Sequence, residues 1–134
     1  MPEPHPKTVE QMVAEAEGRV ENLPVDLAAA EIEDGSATLI DVREDDERLL
    51  EGAIPGAVHV PRGMLELAAD PASPLHREEL DPTLRVILYC SSGSRSALAA
   101  DTLGLMGYAN AAHISGGMMA WKRDGHPVEE IGFG

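Results

Sequence analysis

Apolar positions along this chain follow two rhythms. Short continuous runs, Thr38 to Val42 (TLIDV) and Val86 to Cys90 (VILYC), have the length and composition of buried strands. Between them apolar residues recur at helical spacing. Val9, Met12, Val13 and Ala16 lie on one helical face behind Thr8, which forms a capping box with Gln11. Val20 to Leu23 reads as a short first strand. Pro24 suits the first turn of a helix running to about Glu33, closed by Asp34-Gly35. The acidic run Glu44 to Glu47 suits the first turn of another helix.

Ile54 to Ala57 reads as a turn, and Val58 to Val60 as a short strand stopped by Pro61. Gly63 to Ala69 reads as a short helix, Asp70 to Pro74 as loop, and Pro82 as the approach to the central strand. After Cys90 a small polar loop leads into a helix from about Ser96 to Met106, with Gly107 as its left-handed stop. Ala111 to Ile114 is the last strand. Ser115-Gly116-Gly117 opens a short helix carrying Trp121, and Gly125 to Gly134 reads as tail. Met1 to Pro6 reads as a proline-rich disordered start.

Strands alternating with helices predict an α/β fold: a mostly parallel sheet covered on both faces. Residues 1–19 form an N-terminal extension with a helix, and residues 20–130 form a single domain. Functional groups in such folds collect beyond the carboxyl ends of strands, where Asp41 and Cys90 both fall.

Composition narrows the chemistry. The formal charge of −14, from 24 acidic and 10 basic side chains, opposes nucleic-acid binding. It suits solubility or a salt-rich cytoplasm, or else a basic protein partner. No apolar run is long enough for a membrane span, and the N-terminus lacks the apolar core of a secretory signal. One cysteine excludes an internal disulfide and a multi-cysteine metal site, and no His spacing suggests a metal. A reducing, cytoplasmic setting is the simplest expectation.

That cysteine carries the functional signal. A strand end, the loop Ser91-Ser92-Gly93-Ser94-Arg95 and a helix N-terminus make an anion cradle of amides and helix dipole. Cys90 would aim its sulfur at those donors, which favours thiolate near neutral pH. By itself Cys90 reads equally well as an inert buried cysteine. The glycine-serine loop and the helix start make it a nucleophile.

Four motifs together resemble the rhodanese family of sulfurtransferases: Asp41-Val42-Arg43-Glu44, Gly52-Ala53-Ile54-Pro55-Gly56-Ala57, Tyr89 to Ser96, and Ser115-Gly116-Gly117 with Trp121. Their order matches, and the resemblance covers roughly Leu23 to Pro127. It implies a rhodanese-like three-layer fold around a five-stranded parallel sheet, and a persulfide mechanism needing no cofactor. Cys90 would take the outer sulfur of a small donor anion such as thiosulfate, and cyanide or a thiol would remove it. With no second cysteine, the acceptor must come from outside.

The loop departs from the family's substrate signatures. Ala53 stands where members often have His. Ser91 stands where thiosulfate-using members often have a basic residue, and the Cys-Gly-Ser-Gly-Val-Thr loop of mercaptopyruvate-using members is absent. The donor therefore stays open. Arg95 is the best remaining cation, either contacting substrate or bracing the loop, with Arg43 and Arg48 as accessory candidates. Asp41 reads as a structural anchor, and its pairing would consume Arg43.

Ser91, Ser92, Ser94 and Ser96 read as loop formers and caps, with donor contacts open to Ser91 and Ser92. Gly93 supplies a backbone angle closed to other residues. His59 reads as a hydrogen-bonded core or edge residue, Met118, Met119 and Trp121 as core, and the acidic run as a solvated helix start. Two other functions compete. A carrier module would look the same in sequence. A phosphatase or arsenate reductase resembling the cell-cycle dual-specificity type would need its arginine six positions after the cysteine, where this chain has Ser96.

Overall fold

The computed structural model describes residues 5–132; the expectations for Met1 to Pro4 and for Phe133-Gly134 lie outside the described residues. Five strands, β1 (Glu21–Leu23), β2 (Thr38–Asp41), β3 (Val58–His59), β4 (Val86–Tyr89) and β5 (Ala111–Ile114), pair in the order β1-β5-β4-β2-β3. Every pairing is parallel, as the alternation of strands and helices predicts. The helices are α1 (Val9–Arg19), α2 (Val25–Glu33), α3 (Asp45–Glu51), α4 (Leu65–Ala69), α5 (Ser94–Leu105) and α6 (Gly117–Arg123).

Central β4 is buried at all four positions, so it reads as a continuous apolar run rather than an alternation. Its side chains split between two cores. Val86 and Leu88 meet Leu65, Ala100 and Leu103 on one face, while Ile87 and Tyr89 meet Ala28, Met118 and Trp121 on the other. With only one tryptophan and one phenylalanine in the chain, aliphatic side chains and alanines fill both layers.

The predicted Thr8–Gln11 capping box forms in both directions, and α1 lies against α5, joined by a bidentate Arg19–Asp101 pair. Arg85 fastens the opposite end of the sheet, binding Glu21 and Glu31 through two contacts each and Asn110 through one.

Three sequence expectations change. The segment before α4 is a separate 3-10 turn (Arg62–Met64), because Pro61 fixes the entry and the chain tightens before it relaxes into α4. Helix α5 starts at Ser94 rather than about Ser96: Gly93, with φ 106°, caps it and lets the turn close early. Described residues of the tail are docked, not loose. Glu129 pairs antiparallel with Ala53, Trp121 Nε1 donates to Pro127 O at 2.7 Å, and His126 packs on the Trp121 ring.

Candidate active site

β4 delivers Cys90 to the carboxyl end of the sheet, and the loop folds its amides back onto the sulfur. Gly93 N and Ser96 N donate to Cys90 Sγ at 3.1 and 3.3 Å, and Ser96 Oγ lies 3.5 Å from it. Cys90, Gly93 and Ser96 are buried; Ser91, Ser94 and Arg95 are partly buried, and Ser92 is exposed. The sulfur thus occupies an amide nest at the positive end of a 12-residue helix, a site built for negative charge.

Helix α6 holds the loop from the other side. Met118 N donates to Cys90 O at 2.8 Å and Met119 N to Ser91 O at 3.0 Å. Such close approach needs Gly117: a Cβ there would collide with Cys90 O and lie 2.7 Å from Ser91 O. Met118 is buried as expected, but Met119 is 65% exposed. Met119 lines a shallow groove with Ser92, Gly116 and Arg123 at the rim of the loop, because α6 turns that face outward.

Arg95 pairs with the acidic run. Its two terminal nitrogens donate to Glu47 Oε1 and Oε2 at 2.6 and 2.7 Å. Glu47 is therefore paired and half-buried rather than freely solvated. The hydrogen bonds from Arg95, above all, hold its carboxyl down at about 2. The pair fixes the start of α3 to the start of α5, which is the bracing role for Arg95.

Asp41, Arg43 and Arg48 make a second, separate cluster. Asp41 accepts from Arg43 N, Nε and Nη2, from Arg48 Nε at 3.1 Å and from the Tyr89 hydroxyl at 2.8 Å. Arg43 is fully buried, also donates to Gly52 O, and lies over the Tyr89 ring. Burial works against the Asp41 carboxylate, but the Arg43 and Tyr89 hydrogen bonds outweigh it and hold its pKa below the ordinary value. Burial first, and the Asp41 charge second, push the Tyr89 hydroxyl well up, so it remains a donor. Asp41 thus engages Arg43 Nε and Nη2 and Arg48 Nε, Arg43 Nη1 is buried without a partner among the described residues, and the cluster anchors the β2–α3 turn.

Three residues of this neighbourhood escaped the sequence reading: Glu47, His113 and Asn22. His113, on β5, bonds Ser96 Oγ through Nδ1 at 2.9 Å and Asn22 Oδ1 through Nε2 at 2.7 Å. It is 1% exposed, and burial pushes its pKa down to about 4. His59 bonds the Arg43 carbonyl at the strand edge, as expected for a structural histidine.

The depressed value makes His113 an acid-sensitive element. Between about pH 6.5 and pH 4 the unfolded chain binds a proton that the folded chain refuses, so its contribution is full above pH 6.5 and lost by about pH 4. We expect the wild type to lose roughly 2–3 kcal/mol more than His113→Gln over that interval in urea unfolding. Parallel losses in the two proteins would contradict it.

The chain is thus a parallel α/β protein that presents one buried cysteine sulfur to the first turn of a helix. The model of the rhodanese-like domain matches residues 24–124, and the chain is a member of the rhodanese-like family. A sulfurtransferase of Allochromatium vinosum is 32% identical over 90 residues, covering 67% of this chain and 76% of that protein. Among solved structures, a Rhodopseudomonas palustris protein of unknown function, described as a possible tyrosine phosphatase, matches with TM-score 0.89 and 37% identity. That match covers 96% of this chain and 99% of the other. The polysulfide-sulfur transferase of Wolinella succinogenes matches with TM-score 0.74 and 31% identity, covering 91% and 87%. No described helix is long and apolar enough to cross a membrane, and no described group of side chains could hold a metal ion.

Proposed function

We propose that this chain is a sulfurtransferase whose Cys90 carries sulfane sulfur as a persulfide. The observation that carries the reading is the sulfur itself, bonded by Gly93 N and Ser96 N at the N-terminus of α5. Thiolate attacks the outer sulfur of a donor such as thiosulfate. A Cys90 S–S bond forms, the donor's S–S bond breaks, and sulfite leaves with the electron pair. Cyanide or a thiol then attacks the outer sulfur, and Cys90 leaves as thiolate. In this reading Ser91, partly buried, and Ser92, exposed, offer their hydroxyls to the donor's oxygens, with Ser94 and Ser96 inside the first turn. Continuous thiocyanate formation from thiosulfate and cyanide tests the catalytic reading. A single slow transfer that only a basic protein acceptor relieves would favour a carrier.

Pairing shapes donor recognition. Arg95 is the loop's cation and is neutralised by Glu47, so the field that meets an anionic donor is weak. Glu47→Gln should free the guanidinium and lower the KM for thiosulfate about threefold to tenfold, while Arg95→Ala raises it, an effect of the size of a hydrogen bond to a charged group. Steady-state kinetics on the two variants decide this; an unchanged KM in both would leave Arg95 only its bracing role.

The description of the Rhodopseudomonas protein favours one second reading, phosphate-ester hydrolysis. It needs an arginine free to bracket a phosphoryl group, and here both terminal nitrogens of Arg95 are occupied by Glu47. We expect no turnover of p-nitrophenyl phosphate; turnover lost in Cys90→Ser would revive that reading.

A further inference from the structure

Behind Cys90 lies a chain of hydrogen bonds whose polarity can be worked out atom by atom. Both hydrogens of the Asn22 amide are engaged, since Nδ2 donates to Glu17 O at 2.8 Å and to Val20 O at 3.1 Å. Asn22 Oδ1 is therefore the atom that faces His113, and an acceptor there requires the proton on Nε2. His113 Nδ1 then carries a lone pair, so the Ser96 hydroxyl must be the donor across their 2.9 Å contact. A hydroxyl has one proton. Its other acceptor, Gly93 O at 3.3 Å, is the longer contact; with the proton committed to His113, Ser96 turns a lone pair toward Cys90 Sγ, 3.5 Å away, which fits a thiol S–H and not a thiolate.

That mismatch has one economical resolution. We propose that Ser96, His113 and Asn22 form a proton relay for Cys90, in which the thiol proton passes to Ser96 Oγ while the Ser96 proton passes to His113 Nδ1. Each bond is accounted for. The S–H bond breaks and a new O–H bond forms; the old O–H bond breaks and an N–H bond forms. Sulfur keeps the electron pair and spends it on the bond to the donor's outer sulfur. The imidazolium donates from Nε2 to Asn22 and from Nδ1 to Ser96, whose proton now points at the sulfur. When the persulfide is discharged, Cys90 departs as thiolate and recovers its proton by the same route.

The surroundings suit a transfer that stays internal. Cys90 and Ser96 are fully buried and His113 almost so. The His113 neighbours are Leu88 in register on β4, Asn22 on β1 and Ser96 on α5. On the elements packed around it, Arg19 pairs with Asp101 across α1 and α5, Glu15 with Lys7, Glu21 with Arg85, and Arg95 with Glu47, while the Glu10 and Glu17 carboxylates of α1 face solvent. Glu17 contributes its main-chain carbonyl. Cys90 is the titratable group in direct line with the imidazole; its thiolate charge offsets the burial that otherwise keeps His113 neutral, and that burial favours return of the proton. His113 acts through Ser96, so it is a positioning residue. Asn22 fixes its tautomer and draws α1 into the site.

The relay rests on Cys90 being the nucleophile, and its test separates the two claims. Because the protein has one cysteine, thiolate absorbance near about 240 nm, referenced to Cys90→Ser, reports that group alone, whatever the donor. The curve is recorded from about pH 6 to pH 10 for the wild type, His113→Gln, Ser96→Ala and Ser96→Thr, beside the rate of sulfur uptake from thiosulfate. We expect His113→Gln and Ser96→Ala to move both curves up by about one pH unit, a tenfold loss of uptake rate at pH 7 that closes at high pH. Ser96→Thr, which keeps the hydroxyl, should restore the wild-type curve. Superimposable absorbance curves, or a rate lowered by the same factor at every pH, would overturn the relay. If the wild type takes up no sulfur, the sulfurtransferase reading fails and the absorbance curves still decide the relay. Should His113→Gln not fold, Ser96→Ala and Ser96→Thr carry the comparison.

Discussion

Cys90→Ser should abolish sulfur uptake while leaving the fold in place. A hydroxyl is smaller than a thiol but can still accept from Gly93 N and Ser96 N, so the loop keeps its two amide bonds and the first turn of α5 keeps its cap. What disappears is the polarisable nucleophile. No second cysteine exists to substitute for it. The serine hydroxyl is a poor attacker of sulfur without strong activation, so turnover should fall to background, by a factor of about a thousand or more. Circular dichroism and a urea midpoint close to wild type show that the loss is chemical. A variant that still passes sulfur from thiosulfate to cyanide would remove Cys90 from the mechanism.

Asp41→Ala should give the largest loss of stability. Among the described residues Asp41 is the only carboxylate bonded to the fully buried Arg43, and Arg48 and the Tyr89 hydroxyl converge on its Oδ2. Removing one partner of a buried pair leaves the other charge uncompensated, which costs about 3–5 kcal/mol. The depressed Asp41 pKa gives the pH sign. Its contribution is present above the ordinary aspartate value of about 3.9 and is lost as pH falls through the lower folded value. Equilibrium urea unfolding at pH 7 measures it. The same substitution should leave thiosulfate KM within about twofold, because the cluster touches no reacting atom. A stable Asp41→Ala protein with a raised KM would instead make the cluster part of the donor site.

Much of this architecture is legible in the sequence, and the reasons differ by element. TLIDV and VILYC announce themselves because a strand buried on both faces is mostly apolar, Asp41 being admitted by its buried pairs. Cys90, Gly93 and Ser96 could be placed together because they are neighbours in one strand–loop–helix unit, where spacing and geometry coincide. The Asp41–Arg43 pairing was readable for the same reason. Long-range partners left no local trace. Arg95 and Glu47 are 48 positions apart, and nothing in an acidic run distinguishes the residue that turns inward from those that stay in water. His113 meets Ser96 only because β5 pairs with β4 in one register, so that its side chain faces α5. In sequence it was one of five scattered histidines. Met119 looked like core beside Met118, but consecutive positions on a helix point about 100° apart, and only one of the pair faces the sheet.

Intact mass after brief exposure to thiosulfate tests the central claim most directly. The account predicts a gain of about 32 Da on the wild type, removed by cyanide and absent from Cys90→Ser. No gain on the wild type, or a gain that persists in Cys90→Ser, would contradict a persulfide at Cys90.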